Sequence, residues 1–443
     1  MSIESIVRPT EIAERTYRRV VNAWCMYDWA NSAFATTVMA AVLPAFYSSV
    51  AAATLSPDPE RARVMASSYW GYTNTIAMLI VAVSAPVLGA IADHSGAKKR
   101  FLGSFATLGI LFTSLLVLVS TGDWLMASLF YILGRIGFSG ANIFYDSLLP
   151  HIARPEDIDR VSAKGYALGY LGGGLLLVLN LAMILKPGLF GIPDKTWGAR
   201  LSFLTVGLWW AVFSIPLFRY VPEPKAVLER GEAANPIRAG FQRLQHTFRE
   251  IRRYRELLKF LLAFWLYNDG IGTIITMAVI FGAEIGIGET DLIGAILAVQ
   301  FIGVPFALLF GRLAGWLGTK RSILLALGVY TLIAIGGYFM RTALHFWILA
   351  FLVATVQGGS QALSRSLYGS MTPKAKTAEF FGFYDVSSKF SGILGPAIFG
   401  LVGQLAGSSR LSIISLVVFF VGGGLLLLTV NEQEGRQMAE ATT

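Results

Sequence analysis

The chain has little charge, one cysteine and four histidines, and each shortage removes a class of function. Only 14% of its 443 residues are Asp, Glu, Lys or Arg, against about 25% in soluble domains. Cys25 is the sole cysteine, which excludes an intrachain disulfide and a thiolate metal cluster. His94, His151, His246 and His345 are far apart and form no metal-ligand motif. Neither a metal nor a cofactor is therefore expected. A P-loop pattern is missing, which argues against ATP as a driving force. The ten-residue alternating segments of a membrane β-barrel are missing too. The first 21 residues are polar and charged, so no cleavable signal peptide is expected.

What is present is apolar. Hydrophobic residues make up 55% of the chain, much of it in repeated uncharged runs of about twenty residues. That pattern predicts an all-α polytopic membrane protein. The net charge of +9 could suggest nucleic acid in a soluble protein. Here cytoplasmic loops, which collect Lys and Arg, account for it.

One stretch occurs twice. Gly89-Ala-Ile-Ala-Asp93-His-Ser-Gly96-Ala-Lys98-Lys99-Arg100 returns as Gly311-Arg-Leu-Ala-Gly315-Trp-Leu-Gly318-Thr-Lys320-Arg321. Gly89/Gly311, Gly96/Gly318 and Lys98/Lys320 all stand 222 positions apart. Each copy joins two long apolar segments. A repeat of this length makes two similar halves, and parallel half-repeats in a membrane protein are a transporter signature. Asp93 has no counterpart, because Gly315 replaces it. Shorter echoes pair Tyr145-Asp-Ser-Leu-Leu-Pro150 with Tyr368-Gly-Ser-Met-Thr-Pro373, and Tyr27-Asp28 with Tyr267-Asn268-Asp269.

The pattern predicts twelve transmembrane helices in two pseudo-symmetric six-helix halves. Residues 1–21 form a cytoplasmic segment, 22–221 the first bundle, 222–256 a basic linker, 257–430 the second bundle and 431–443 a cytoplasmic tail. In the linker Ile237, Phe241, Leu244, Phe248 and Ile251 make one apolar stripe on a basic helix, suited to the inner leaflet. With the amino terminus inside, roughly 27 of the 36 Lys and Arg are cytoplasmic. About seven face outside, and Arg135 and Lys389 fall within spans. This ratio predicts both termini in the cytoplasm.

The repeated loop resembles the motif between helices 2 and 3 of the major facilitator superfamily, with its degenerate copy between helices 8 and 9. His94 stands where that superfamily usually has a basic residue. A narrower resemblance lies in Trp24-Cys-Met-Tyr27-Asp28-Trp29-Ala30-Asn31-Ser32-Ala33-Phe34, similar to the YDWANSAF signature of the vacuolar amino-acid effluxer-like branch. Phe381-Gly-Phe-Tyr384, Lys389 and Gly395-Pro396 are similar to it as well. The resemblance implies the major facilitator fold, a transporter, and amino-acid export. It also implies that Gly89, Asp93, Gly96, Lys98 and Lys99, with Gly311, Gly318, Lys320 and Arg321, form cytoplasmic gating loops, Asp93 latching helices 2 and 11. From the residues alone, Asp93 could instead be a loop carboxylate paired with Lys98.

An ionisable group near mid-bilayer costs about 2.5–3.5 kcal/mol on insertion scales and asks for a partner or a function. Helices 1, 4, 7 and 10, which line the superfamily's central cavity, carry polar residues at helical spacing. The candidate substrate or coupling-ion set is Asp28, Asn31, Arg135, Asn142, Asp146, Asn268, Asp269, Gln357 and Gln361, with Lys389 on helix 11. Arg135 either neutralises Asp28 or meets substrate. Asp269 either binds an amine or carries a proton. Lys389 either pairs with Asp385, one turn earlier, or meets substrate. Gln300 and Asn180 read as interhelical hydrogen bonds.

The expected function is secondary active transport of a small polar solute by alternating access, with an amino acid or similar zwitterion favoured and proton-coupled export as the drive. The alternatives are lipid or glycolipid translocation, and sugar or organic-anion transport. No carboxylate or metal constellation for an enzyme is evident. The expected setting is a monomer in a bacterial cytoplasmic (inner) membrane, with the lipid bilayer, a small-molecule substrate and protons as partners and no nucleic acid.

Overall fold

Hydrocarbon offers no partner to a backbone N–H or C=O, so apolar runs of this length must close on themselves as helices. The computed structural model describes residues 9–224, 254–284, 287, 289–390, 395, 398–399, 401–402 and 409–441, and these are helical nearly throughout. Helix α1 runs over Pro9–Ala33 and continues through wider π turns at Phe34–Ala41 and Tyr47–Ala51. It begins within the stretch read as a polar amino-terminal segment. There follow α2 (Pro59–Ser95), α3 (Lys98–Leu115), α4 (Trp124–Ile152), α5 (Ile158–Leu185) and α6 (Lys195–Tyr220). The second half has α7 (Arg255–Glu284), α8 (Glu289–Leu317), α9 (Thr319–Tyr338), α10 (Ala343–Ser370) and α11 (Thr377–Phe390). The twelfth rod, α12, comprises Ser409–Ser415 and Val417–Leu428, and a polar helix, α13 (Glu432–Ala441), closes the chain. Among the described residues nine helices are long and apolar enough to cross a membrane. The linker stripe from Ile237 to Ile251 lies outside the described residues.

Local chemistry fixes several helix ends. Asp194 caps α6 by accepting from the Trp197 N–H at 2.9 Å, and Thr342 caps α10 by accepting from His345 N–H at 3.4 Å. Each satisfies one of the orphan donors of a first turn.

The buried apolar side chains fall into two main clusters. One extends from Val21 to Val221 and takes in Ala378; the other extends from Tyr254 to Val430. The outward faces are apolar as well: Val83, Leu125, Leu332 and Val418 are exposed. In a bilayer that surface meets lipid tails, so it costs nothing to leave it uncovered by protein.

Candidate functional site

Two polar centres join the halves. The first is a buried ion cluster around Arg365 of α10. Its guanidinium reaches Asp28 of α1 at 3.2 Å and Asp146 of α4 at 3.0 Å. Arg365 Nε–H donates to Ser162 Oγ and an Nη–H to the Ser162 carbonyl of α5, both at 2.9 Å. Tyr145 O–H donates to Asp28 Oδ2 at 2.8 Å. The rings of Trp24, Tyr145 and Tyr166 surround the cation, with centroids 4.4–5.7 Å away. A planar fork with five donors suits this arrangement, and a lysine would not. Gly165 leaves room for it, since a Cβ there would lie 2.4 Å from Asp28 Oδ2.

Arg365 is absent from the sequence-based candidates, which counted it with the cytoplasmic charges. It lies inside α10 and is only 2% exposed. The signal was present. Gln357, Gln361 and Arg365 are four apart and share one face of α10.

The structure also separates two residues that the sequence paired. Arg135 does not neutralise Asp28. It sits farther along α4, where its guanidinium meets Met39 Sδ in the π-helical part of α1 and lies 5.8 Å from the Phe138 ring centroid. It is 6% exposed, and among the described residues its Nε–H finds no acceptor and no carboxylate pairs with it. An arginine so placed asks for a partner or a function.

Asn31 and Asn142 meet directly, Nδ2–H of the first donating to Oδ1 of the second at 2.6 Å. Asp269 of α7 is buried beside residue 395, where a Cβ would lie 2.8 Å from its Oδ1. Asn268, Gln357 and Gln361 are half-buried. The side chains of Lys389 and Asp385 lie outside the described residues. Asn180 makes interhelical hydrogen bonds, to Thr37 at 3.3 Å and from Thr205 at 2.8 Å.

The second centre is formed by the repeat loops. Asp93 Oδ1 pairs with Lys98 Nζ at 2.7 Å, and Asp93 Oδ2 accepts from the Glu379 backbone N–H of α11 at 2.8 Å. Asp93 thus pairs with Lys98 and at the same time bonds the first turn of α11, where an anion is favoured. Lys98 also meets His151 at 3.1 Å and the Thr377 hydroxyl. Gly89 allows the approach, because a Cβ there would fall 2.3 Å from the Ala378 carbonyl oxygen. On the other side Gly311 of α8 packs on Ala163 of α5. Thr319 O–H donates to Asp159 Oδ2 at 2.7 Å, and Ser366 O–H donates to Asp159 Oδ1. So α2 meets α11, and α8 meets α5, at the face that carries the repeats.

Within each half a lysine ties the repeat loop to the sixth helix. Lys99 Nζ donates to the Phe218 carbonyl at 3.0 Å, while its backbone N–H donates to Glu223 at 2.9 Å. Lys320 Nζ donates to the Val430 carbonyl at 2.7 Å, and its N–H to Glu432 at 3.3 Å. The glycines repeat at 222 positions and both have positive φ, 59° at Gly96 and 87° at Gly318. The lysines that do the same job are Lys99 and Lys320. The second loop is one residue tighter, so Lys98 has Thr319 as its structural counterpart. Arg321 follows Lys320 in the first turn of α9.

Comparison with known proteins agrees with this architecture. Residues 16–440 match the family model described as vacuole effluxer Atg22 like. The uncharacterized MFS-type transporter YxiO of Bacillus subtilis is 38% identical over 434 residues, covering 96% of this chain and 98% of that protein. Autophagy-related protein 22 of Yarrowia lipolytica is 25% identical over 458 residues, covering 83% and 76%. Among solved structures, the major facilitator proton:xylose symporter XylE superposes with a TM-score of 0.73 at 14% identity, covering 97% of this chain and 99% of that one. The human organic anion transporter MFSD10 gives 0.65 at 15% identity, covering 93% and 99%.

Proposed function

The chain belongs to the Atg22-like family of vacuole effluxers, with the major facilitator fold, and from that premise we propose that it exports a small carboxylate-bearing solute, an amino acid or similar zwitterion, by proton-coupled alternating access. The observation that carries this reading is Arg135, a buried guanidinium with no carboxylate partner among the described residues. A substrate carboxylate would complete it with a charge-assisted, bidentate contact. Asp269, buried on α7 in the other half, is the proposed receiver of the substrate amine or of the coupling proton.

The Arg365 cluster has a different part in the cycle. It spans α1, α4 and α5 of one half and α10 of the other, so the halves cannot rock apart at this level while it holds. Protonation of Asp28 or Asp146 would weaken it. We place the repeat-loop face in the cytoplasm, in accord with the distribution of Lys and Arg.

Thermal-shift screening of the purified protein tests the substrate class, because a ligand at a hundred times its Kd stabilises the folded state by about 2.7 kcal/mol. Amino acids should raise the midpoint of the wild type and leave Arg135→Ala unmoved. A response to sugars alone, or an undiminished amino-acid response in Arg135→Ala, would overturn the assignment.

A further inference from the structure

The repeat-loop face has a second polar site that the transport reading does not use. Deep in the first half, α1 and α6 are joined by aromatic contacts. Trp29 stacks on Trp209 with centroids 5.5 Å apart, meets Phe213 edge-on at 5.8 Å, and accepts the Trp209 indole N–H on its carbonyl at 3.1 Å. Toward the repeat-loop face Pro216 lies inside α6, and proline has no N–H to return to the preceding turn. Above that point the two helices leave an open groove of about 400 Å³ between them, with Arg15, Arg18 and Arg19 exposed on its rim.

The lining of this groove is one-signed. Arg15, Arg18 and Arg19 contribute three guanidiniums, and among the described residues no carboxylate lines it. Their spacing places them on one face of α1, with Met26 farther down the same face. Glu14, outside the groove, is divided between Arg18 at 3.0 Å and Arg154 at 2.8 Å. Arg19 lies over the Tyr220 ring, 3.8 Å from its centroid. Arg15 has no ion-pair partner among the described residues. The deeper wall is apolar, made by Met26 and Pro216. Beside it Val212 and Ile215 of α6 are 55% and 58% exposed, part of the surface that lipid tails cover. The groove therefore stands where an apolar belt gives way to a cluster of cations.

We propose that this groove is a binding site for the phosphodiester headgroup of an anionic phospholipid. The arginine forks match the phosphate oxygens. The acyl chains would run down past Ile215 and Met26. A basic pocket between membrane helices at the headgroup level is suited to such a ligand. Soluble phosphates share the charge but lack the chains that the lower wall would hold.

The test uses the full-length protein in a neutral detergent, titrated with phosphatidylglycerol, phosphatidylcholine or glycerol 3-phosphate. Native mass spectrometry counts the retained lipid, and thermal shift reports stabilisation. Phosphatidylglycerol should bind and stabilise the wild type, and phosphatidylcholine should bind more weakly. Binding should weaken roughly fivefold for each arginine removed and about 30-fold in Arg15→Gln/Arg19→Gln. Met26→Trp fills the lower wall without changing charge and should also lose the lipid. Arg312→Gln, an exposed arginine on α8, should not. Equal binding by the wild type, the double variant and Met26→Trp would overturn the site. An equal response to glycerol 3-phosphate would show a free-phosphate site and overturn the lipid assignment.

Discussion

Removing the Arg365 cation should do more damage than removing the whole cluster. At an effective dielectric of about 20, each contact, 3.2 Å to Asp28 and 3.0 Å to Asp146, has a gross Coulomb energy of about 5 kcal/mol. Desolvation of the three ions cancels much of that, so the net worth of the intact cluster is small. Arg365→Ala breaks the balance, because it leaves two half-buried carboxylates with their counter-charge gone. The expected loss is about 3–5 kcal/mol, a large share of a stability of about 5–15 kcal/mol. For a unit of about two hundred residues this lowers the thermal midpoint on the order of 10 °C. Arg365→Lys should fall between, since an ammonium cannot fork across both carboxylates and Ser162. In Arg365→Ala/Asp28→Asn/Asp146→Asn the charges are gone together, and the midpoint should return to within a few degrees of the wild type. Cys25 supplies the assay. It is the only thiol and is fully buried, so a thiol-reactive fluorophore reports unfolding with no engineered cysteine. A wild-type midpoint for Arg365→Ala, or a triple variant no more stable than the single, would refute the electrostatic account.

Other outcomes follow from the gate and from the proposed mechanism. Asp93→Asn should weaken the hold on the first turn of α11 and leave Lys98 buried without its carboxylate, for a cost of about 3 kcal/mol; a cysteine placed at the fully buried Thr377 should then react several-fold faster with a soluble maleimide. Gly89→Val should expose the same reporter, because its side chain cannot fit against the Ala378 carbonyl; unchanged labelling would mean that the two helices do not need this contact. Glu223→Ala and Glu432→Ala remove equivalent acceptors from the first turns of α3 and α9, and each should cost about 1 kcal/mol by denaturation of the detergent-solubilised protein. In proteoliposomes Asp269→Asn should abolish uphill transport while sparing exchange, and retained uphill transport would remove Asp269 from the coupling step.

The fold was legible because hydropathy and the repeat act at long range along the chain. Runs of apolar residues can only be helices in lipid, and the spacing of Gly89 and Gly311 divides the rods into two sets. The ion cluster was legible in part. Asp28 and Asp146 stood out as carboxylates inside apolar helices, but their partner did not. Arg365 lies five residues before the end of α10 at Ser370, where hydropathy alone reads a charge as belonging to the loop. Its 337-position separation from Asp28 is bridged only by the packing of one half on the other, which no local pattern encodes. Arg135 illustrates the converse. It is close to Asp28 in the expected helix pairing, yet the register that pairs Asn31 with Asn142 sets Arg135 beside Met39. The register of the repeated lysines was hidden for a similar reason, since the tighter second loop shifts function by one residue while the glycines keep their spacing.

That one-residue difference has a mechanical consequence. The first repeat loop seals its contact with an ion: Asp93 is held by Lys98 and in turn holds α11. The second has Gly315 where an aspartate would stand, and its contact runs through Asp159 accepting from two hydroxyls, Thr319 and Ser366. Both contacts join a charged group to neutral partners across the halves, but Asp93 and Lys98 are buried, whereas Asp159 is only half-buried and its donors exchange more readily with water. The two seals at the repeat-loop face are therefore unequal, although the halves that make them are alike. Opening should begin where α8 meets α5 and finish where α2 leaves α11, and the Arg365 cluster lies between those contacts, bonded to α5 through Ser162 and to α4 through Asp146. Movement of α5 away from α8 would strain the Ser162 contacts first and expose Asp28 to solvent before Asp93 is released. In the proposed proton-coupled cycle, this order would let the central carboxylates take up a proton while the Asp93 contact is still closed.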